Sequence, residues 1–588
     1  MKHEPPIADL GARLAEALGA HAPAATHPLL AQSLRVLWRE REQGHVCLPL
    51  PAWAGRVADG ESEPFPGLAA WRSGLTATGL CADGRADEPA SPLVLDSGDR
   101  LYLRRDFVAE RTIARCLQQR LAEPERMPAA TVRAHLQALR LLPPEGTVPD
   151  PQLLATIAAA RSSFLVLTGG PGTGKTTTVA RMLALLLRAE PHLRIALCAP
   201  TGKAAARLLE ALRQRAAAEP EVAVVAERCQ PVTLHRLLGY LPVDDSFRVG
   251  PQQPLRHDVV VVDEASMADP VLLAVLCRAM PPQARLVLVG DKDQLAAVAA
   301  GQVLGDVCRA AAPERGVGKR LAAFVQAVTG SAPPTNPAAP AIADHTVHLQ
   351  HSHRFGTRPG IGGFATALAR RDVRTALAVL AEGHADLQAP GTVDHALQAI
   401  EAAVLRVVRG AATDVAQRLA ALRVLTATRH GPGGAIAWNA RIEQLLQRHG
   451  VRVQDPWYEG RPILVTANDH QNHVYNGDLG LVVRDGDGRL VVAFPRGDGR
   501  LRHVARQRLP AHETAWAMTV HKAQGSEFDD VLVVMPERDG PLWQASLVYT
   551  AITRARQRAW LLADPTLLAA ALTRWPERSS GLADALRS

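Results

Sequence analysis

Four short apolar runs constrain the fold of this 588-residue chain more than any other feature: Phe164-Leu-Val-Leu-Thr168, Arg194-Ile-Ala-Leu-Cys198, Val259–Val262 and Arg285-Leu-Val-Leu-Val289. Each is continuous, with no polar alternation, and helical patterning separates each from the next. Strands that are apolar on both faces have to be covered on both, which predicts a parallel sheet between layers of helix. Ligands of such sheets lie beyond the carboxyl ends of the strands. The loops that follow the four runs are therefore where chemistry is expected.

The first of these loops reads Gly169-Gly170-Pro171-Gly172-Thr173-Gly174-Lys175-Thr176 and opens the helical pattern Thr177–Leu187. A Gly-x-x-x-x-Gly-Lys-Thr run between strand and helix is a phosphate loop. Its glycines let backbone N–H groups converge on phosphates, and the helix N-terminus adds a favourable dipole. Lys175 supplies charge to the terminal phosphates and Thr176 a hydroxyl to Mg²⁺, with Thr177 beside it. The third run ends in Asp263-Glu264: Asp263 is suited to hold the magnesium, and Glu264 to act as base or orient an attacking water. An exposed acidic pair is the bland alternative, but four preceding valines bury the strand and direct the pair into the cleft. The fourth run ends in Gly290-Asp-Lys-Asp-Gln-Leu295, which aims Gln294 at the terminal phosphate. The cofactors expected are ATP and Mg²⁺.

The chain has room for roughly three or four domains. Residues 1–115 read as mainly helical, from Leu29, Leu30, Leu34, Leu37 and Trp38 ahead of Gly44, with a hairpin at Pro92–Asp96 and Arg100–Arg104. Residues 116–149 read as a linker, 150–343 as the first α/β domain and 344–588 as the second. The segment Ala310–Ala343, which contains the Pro/Ala-rich run Ser331–Pro340, reads as a flexible connection. Residues 461–509, short strands between Gly/Asp turns, read as a small inserted β-barrel. The net charge of +8 is compatible with a polyanionic partner without requiring one. Seven cysteines without a C-x-x-C pair indicate reduced thiols. No apolar stretch reaches the roughly 18 residues of a membrane span, and Met1–Leu10 lacks the core of a signal peptide, so a cytoplasmic protein is expected.

Together with Ala199-Pro-Thr-Gly-Lys-Ala-Ala-Ala206, His353-Arg354-Phe355, the decapeptide Thr519–Phe528 and Val548–Ala555, these loops resemble the ordered motifs of superfamily 1 helicases. Asp263-Glu-Ala-Ser-Met267, Gly301-Gln-Val-Leu-Gly-Asp306, Gly44-His-Val-Cys-Leu-Pro-Leu50 and Leu101-Tyr-Leu-Arg-Arg105 narrow the resemblance to RecD, the α subunit family of exodeoxyribonuclease V (RecBCD). Free-standing RecD-like helicases are similar but carry a longer N-terminal region. The resemblance implies an α/β fold with two RecA-like motor domains, an SH3-like inserted barrel and an N-terminal domain that meets partner subunits.

It further implies that Arg354 and Arg554 come from the second domain to neutralise the terminal phosphate, that Gln152 reads adenine, and that Gly525 and Glu527 approach the nucleotide. Pro200, Thr201, Gly202, Lys203, Thr233, His235, Thr519 and His521 would touch the DNA backbone, contacts that position without specifying sequence. The implied partners are single-stranded and duplex-end DNA and RecB- and RecC-like subunits in a heterotrimer, with no membrane. Gln294 is followed by Leu-Ala-Ala-Val298 and no base-stacking aromatic, which resembles the 5′→3′ branch. An autonomous repair or conjugation helicase, or an assembly subunit with an idle motor, are the alternatives. Arg496, Arg500, Arg502, Arg506 and Arg508 fit either a clamp on the strand or a solvated rim. His345, His348, His351 and His353 lack the completing ligands of a metal site and read as structural.

Overall fold

The computed structural model describes residues 8–84, 91–144, 146–229, 231–356, 359–411, 413–469, 471–496, 499–540 and 542–587. Most of the N-terminal segment used above to judge export lies outside them. The first domain holds β1 (Cys47–Pro49), β2 (Cys81–Ala82), β3 (Leu93–Leu95) and β4 (Arg100–Leu103), in the order β1-β4-β3-β2. Helices His27–Glu42 and Leu68–Ala77 supply Leu30, Leu34, Leu37 and Trp71 to its core. The β3–β4 hairpin expected from sequence forms, with Leu95 opposite Leu101. Asp99 takes a left-handed conformation (φ 59°), and Asp96 Oδ1 accepts from the backbone N–H groups of Gly98 and Arg100.

The first α/β domain contains β5 (Phe164–Gly169), β6 (Ile195–Ala199), β7 (Val232–Thr233), a hairpin of β8 (Tyr240–Leu241) and β9 (Ser246–Phe247), then β10 (Val259–Val262), β11 (Arg285–Gly290) and β12 (Thr346–Leu349). Without the hairpin they form one parallel sheet in the order β12-β5-β11-β10-β6-β7. Alternate residues enter opposite cores. Leu165, Leu167, Val259 and Val261 face one layer, and Phe164, Val166, Val260 and Val262 the other. All four apolar runs are buried on both sides, as their composition requires.

The second sheet begins with β13 (Leu387–Gln388) and β14 (Leu422–Thr426). The chain then leaves it for β15 (Pro462–Val465), β16 (Leu479–Arg484), β17 (Leu490–Pro495), β18 (Leu501–Ala505) and β19 (His512–Thr514). It returns as β20 (Ala517–Thr519), β21 (Phe528–Val534) and β22 (Ala555–Leu562). The main sheet is parallel, in the order β13-β22-β21-β14-β20. The insertion is an antiparallel sheet, β18-β17-β16-β15-β19, whose core is Ile463, Val465, Val482, Val492, Phe494 and Val504. Among the described residues its two edge strands do not pair with each other.

Several boundaries fall elsewhere than the sequence suggests. The stretch read as a flexible connection contains the helix Lys319–Thr329, whose Leu321, Phe324, Val325 and Val328 are buried. Gly318 and the left-handed Gly330 (φ 85°) bracket it, and the neighbouring Pro/Ala run hid that helical spacing. The Pro-rich stretch itself is pinned by Val317 N–H to Pro334 O (3.1 Å) and Asn336 N–H to Val317 O (2.8 Å). β12, beyond residue 343, belongs to the first sheet, so Arg354, expected from the second domain, follows a strand of the first. The 116–149 segment holds the last third of helix Arg104–Leu121 and all of helix Ala129–Ala138. Residue 115 lies mid-helix, and Ala109, Ile113, Ala114 and Leu117 share a core with Phe164 and Val260. The last helix, Leu582–Arg587, also returns to that core through Leu582, Ala583 and Leu586.

Candidate functional site

β5 delivers the phosphate loop to the helix Lys175–Ala189. Gly172 (φ 75°) and Gly174 (φ 89°) hold left-handed conformations that residues with a Cβ resist. Close neighbours add a second reason: a Cβ on Gly172 would strike Arg354, and one on Gly174 the Gln152 amide. The Lys175 ammonium donates to the carbonyls of Gly169 (2.6 Å) and Gly170 (3.0 Å), at the mouth of the loop. Gln152 lies in the first turn of helix Pro151–Arg161, which Asp150 caps by accepting from Leu153 N–H (2.7 Å). Its amide donates to Thr173 O (3.2 Å) and accepts from Arg181 (3.5 Å). The segment after β12 lies along the loop, with His353 N–H donating to Gly172 O (2.9 Å) and Ser352 Oγ to Pro171 O (2.9 Å).

Asp263 and Glu264 follow β10 as expected. Burial, reinforced by the charge of Glu264, pushes the Asp263 carboxyl up to about 6, while Lys175 and Arg207 work the other way. Glu264 itself stands at φ 51°, a left-handed conformation that costs of order 1–3 kcal/mol for a side-chain-bearing residue. After β11, Gln294 Nε2 donates to Asp291 Oδ2 (2.9 Å), and the same oxygen accepts from the Tyr549 hydroxyl (3.1 Å). Leu295 N–H donates to Thr550 Oγ1 (2.9 Å), and Gln524 Nε2 donates to Leu295 O (2.9 Å). The Gln294 loop of the first domain is thus tied to helix Ala545–Ile552 and to Gln524 of the second.

The arginines meet at Glu527. Arg354 reaches both carboxylate oxygens (2.9 and 2.8 Å), and Arg207 pairs with one of them. Burial opposes the charge, but Arg207 and Arg354 hold the Glu527 carboxyl well below the ordinary range. Arg554 is buried and donates to Thr550 O (3.1 Å) and Ser526 O (3.3 Å). Gly525 holds a left-handed conformation (φ 68°) that favours glycine, and it lies beside Ala204 of the first domain. Gln152, Pro171–Thr177, Asp263, Glu264, Gln294, Arg354, Gly525, Glu527 and Arg554 line one cleft of about 780 Å³ between the two sheets. Gly169 and Gly170 serve it from behind through their carbonyls. Sequence reasoning missed Arg207, which also donates to Gly525 O (3.4 Å). Its one available signal was a position one helical turn beyond Lys203.

Three of the strand-contact candidates share one geometry. Thr201, Thr233 and Thr519 end β6, β7 and β20 or follow them, and each caps a helix by accepting from the N–H of Ala204, Arg236 and Lys522 respectively. Pro200 and Gly202 flank Thr201 in its turn. The exposed His235 stands edge-on to Tyr240 (5.3 Å) at the foot of the β8–β9 hairpin. Burial and then Arg578 lower the pKa of His521. Lys203 departs from this row: among the described residues its buried ammonium has no hydrogen-bond partner, and charges from both α/β domains and the insertion surround it. Burial, then Arg423 and Arg207, push it down to about 7. Of the four histidines, His345 bonds Phe164 O (3.1 Å), and His351 and His353 stand edge to face (5.0 Å). Among the described residues no group of three metal-ligating side chains gathers, and no helix is long and apolar enough to cross a membrane.

Residues 152–300 match the model of an AAA domain, 514–562 a UvrD-like helicase C-terminal domain, and 6–102 the N-terminal domain of RecBCD enzyme subunit RecD. The RecBCD enzyme subunit RecD of Mycobacterium tuberculosis is 40% identical over 583 residues, covering 95% of this chain and 91% of that protein. The ATP-dependent RecD2 DNA helicase of Deinococcus radiodurans is 32% identical over 521 residues, covering 86% of this chain and 62% of that protein. Among solved structures, two coordinating Pif1 helicases at forked duplex DNA align over 72% of this chain and 94% of theirs, at 16% identity and a TM-score of 0.39. With 40% identity across nearly the whole of both chains and its own N-terminal domain model matched, the chain belongs to the RecD family of RecBCD enzyme subunits.

Proposed function

We propose that this chain is an ATP-driven DNA helicase, the 5′→3′ single-strand motor of a RecBCD-type helicase–nuclease acting at duplex ends in cytoplasmic double-strand break repair. The observation that supports it most is the single cleft where the phosphate loop, Asp263–Glu264 and Gln294 meet Arg354, Glu527 and Arg554. Its volume and the convergence of glycine backbone and cations suit a nucleoside triphosphate. Thr176 and Asp263 would hold a magnesium ion, which when bound supplies charge neutralisation to the phosphates. A buried carboxylate facing Lys175 is a fitting donor for it.

In this reading Lys175 binds and orients the terminal phosphates, Glu264 orients the attacking water, and Arg354 and Arg554 meet the charge that develops. Gln294 carries the change to the second domain through Leu295 and its bonds to Thr550 and Gln524. Alternate approach and separation of the two sheets would move the threonine-capped turns along the strand. Their backbone and hydroxyl donors suit phosphates, so tracking independent of sequence is expected. Leu295 is buried and no aromatic follows it, which favours the 5′→3′ direction. The inserted sheet, read as SH3-like, is the candidate clamp. RecB- and RecC-like subunits are the proposed partners, since the relative at 40% identity is a RecBCD enzyme subunit. The free-standing reading has the 32% relative in its favour.

ATPase activity of the parent chain should rise with single-stranded DNA, and Lys175→Ala should lose about 10²-fold or more of it. A parent chain whose turnover ignores DNA would remove both helicase readings and leave an assembly subunit. On tailed duplexes, unwinding is expected from a 5′ tail; unwinding only from a 3′ tail would refute the direction. Co-purification with RecB- and RecC-like subunits separates the assembled motor from the free-standing one.

A further inference from the structure

The C-terminal segment leaves the second sheet and crosses to the other two domains. On its way Arg578 Nη1 donates to three carbonyls in one loop: Ala297 (2.9 Å), Ala299 (3.0 Å) and Gly301 (2.6 Å). That loop starts three residues after Gln294. Its far end is held by the N-terminal domain, where Gly301 N–H donates to Gly44 O (2.9 Å). The Arg578 guanidinium lies flat against the same glycine: a Cβ on Gly44 would stand 2.5 Å from Arg578 Nε. Residues just beyond Arg578 are anchored to the N-terminal domain. Ser579 O accepts from Val46 N–H (2.9 Å), Ser579 N–H donates to His45 (3.0 Å), and Ser580 Oγ and Gly581 N–H donate to the buried Glu110 (2.8 and 3.0 Å).

One loop therefore follows closely on the nucleotide-facing Gln294 and ends at the N-terminal domain, with its carbonyls gathered on a single guanidinium nitrogen. Among the described residues no carboxylate is in hydrogen-bond contact with Arg578, and burial lowers its pKa against the pull of Asp306. A buried cation whose hydrogen bonds run to carbonyls is exacting about their positions, because moving them breaks charge-assisted bonds. The loop and the strap should consequently shift together. The strap begins beside the same motif as well: Trp575 stacks on Arg371 (3.2 Å to the ring centre), and Arg371 reaches Asp293 (3.5 Å).

We propose that Arg578 is a positioning residue that passes movement of the Gln294 loop to the Gly44–Leu50 turn, so that the N-terminal domain senses the nucleotide state of the motor. This rests on the reading that the cleft binds a nucleoside triphosphate. The test is hydrogen–deuterium exchange of the full chain with and without a slowly hydrolysed ATP analogue and magnesium, beside a direct binding measurement. In the parent chain the analogue should change exchange both at 297–301 and at 44–50. In Arg578→Ala the response at 297–301 should persist and that at 44–50 should be lost, with analogue affinity unaltered. Arg578→Lys keeps the charge but reaches one atom less far and has no planar face to lie against Gly44; it should restore only part of the distant response, and it serves alone if the alanine variant does not fold. A distant response that survives both substitutions, or is absent from a parent chain that binds the analogue, overturns the proposal. Failure of the parent chain to bind the analogue at all overturns the nucleotide reading instead.

Discussion

Replacing Arg354 by alanine is expected to lower DNA-stimulated ATP turnover by about 10³-fold, close to 4 kcal/mol of transition-state stabilisation, with little change in the KM for ATP. The guanidinium enters the cleft from the segment behind β12, which lies along the phosphate loop through His353 and Ser352. Its partner is Glu527, a carboxylate from the other sheet that Arg207 also holds. A terminal phosphate entering the cleft would compete with that carboxylate for both arginines. The exchange can favour the transition state because charge on the transferring group spreads over its equatorial oxygens, which a planar fork can follow. Arg354→Lys should therefore recover little, since an ammonium presents one point charge where two parallel donors are used. Steady-state ATPase at saturating single-stranded DNA, with nucleotide binding measured separately, checks this. A variant with kcat intact and a much higher KM would assign Arg354 to ground-state binding instead.

The sequence was most readable where chemistry dictates residue type at the end of a strand. Gly169–Thr176, Asp263-Glu264 and Gly290–Leu295 stood out because each follows a run that has to be buried, and the structure brings all three to one cleft. Arg207 was not readable: in an arginine-rich chain a helical Arg carries no mark until its carboxylate partner, 320 positions further along, is known. The same holds for Arg578, whose partners are backbone carbonyls and so have no side-chain signature at all. Helix Lys319–Thr329 was masked because Pro and Ala beside it outweighed a short apolar period. The boundary at 115 failed for a different reason. Helix Arg104–Leu121 serves the N-terminal domain at one end and the first sheet's core at the other, so composition does not change where the domains meet. Lys203 was assigned by its neighbours Thr201 and Gly202, but a long side chain can leave its backbone's neighbourhood, and here it runs into the junction of the domains.

Glu264→Gln is expected to reduce turnover by about 10²–10⁴-fold while leaving nucleotide binding nearly as it is. Asp263→Asn should instead raise the magnesium concentration needed for half-activation as well as lower the rate, because the two adjacent carboxylates have separate tasks. Asp263 sits deeper, its N–H bonded to Cys198 O (2.8 Å), with Lys175 and Arg207 as its cationic neighbours. Glu264 N–H donates back to Asp263 Oδ1 (2.9 Å), which fixes the angle between the two side chains. The left-handed backbone at Glu264 completes the separation, turning its side chain away from the line that β10 would otherwise continue. Strain of that kind persists only where the surroundings over-determine it, and here β10 is buried on both faces by its four valines. Glutamine keeps the size and the backbone but neither takes up a proton nor attracts a water's hydrogen as strongly, so the loss should fall on kcat alone. Single-turnover hydrolysis beside nucleotide binding makes the distinction. Equal losses in affinity and rate from Glu264→Gln would mean that the strained backbone serves the magnesium and not the water.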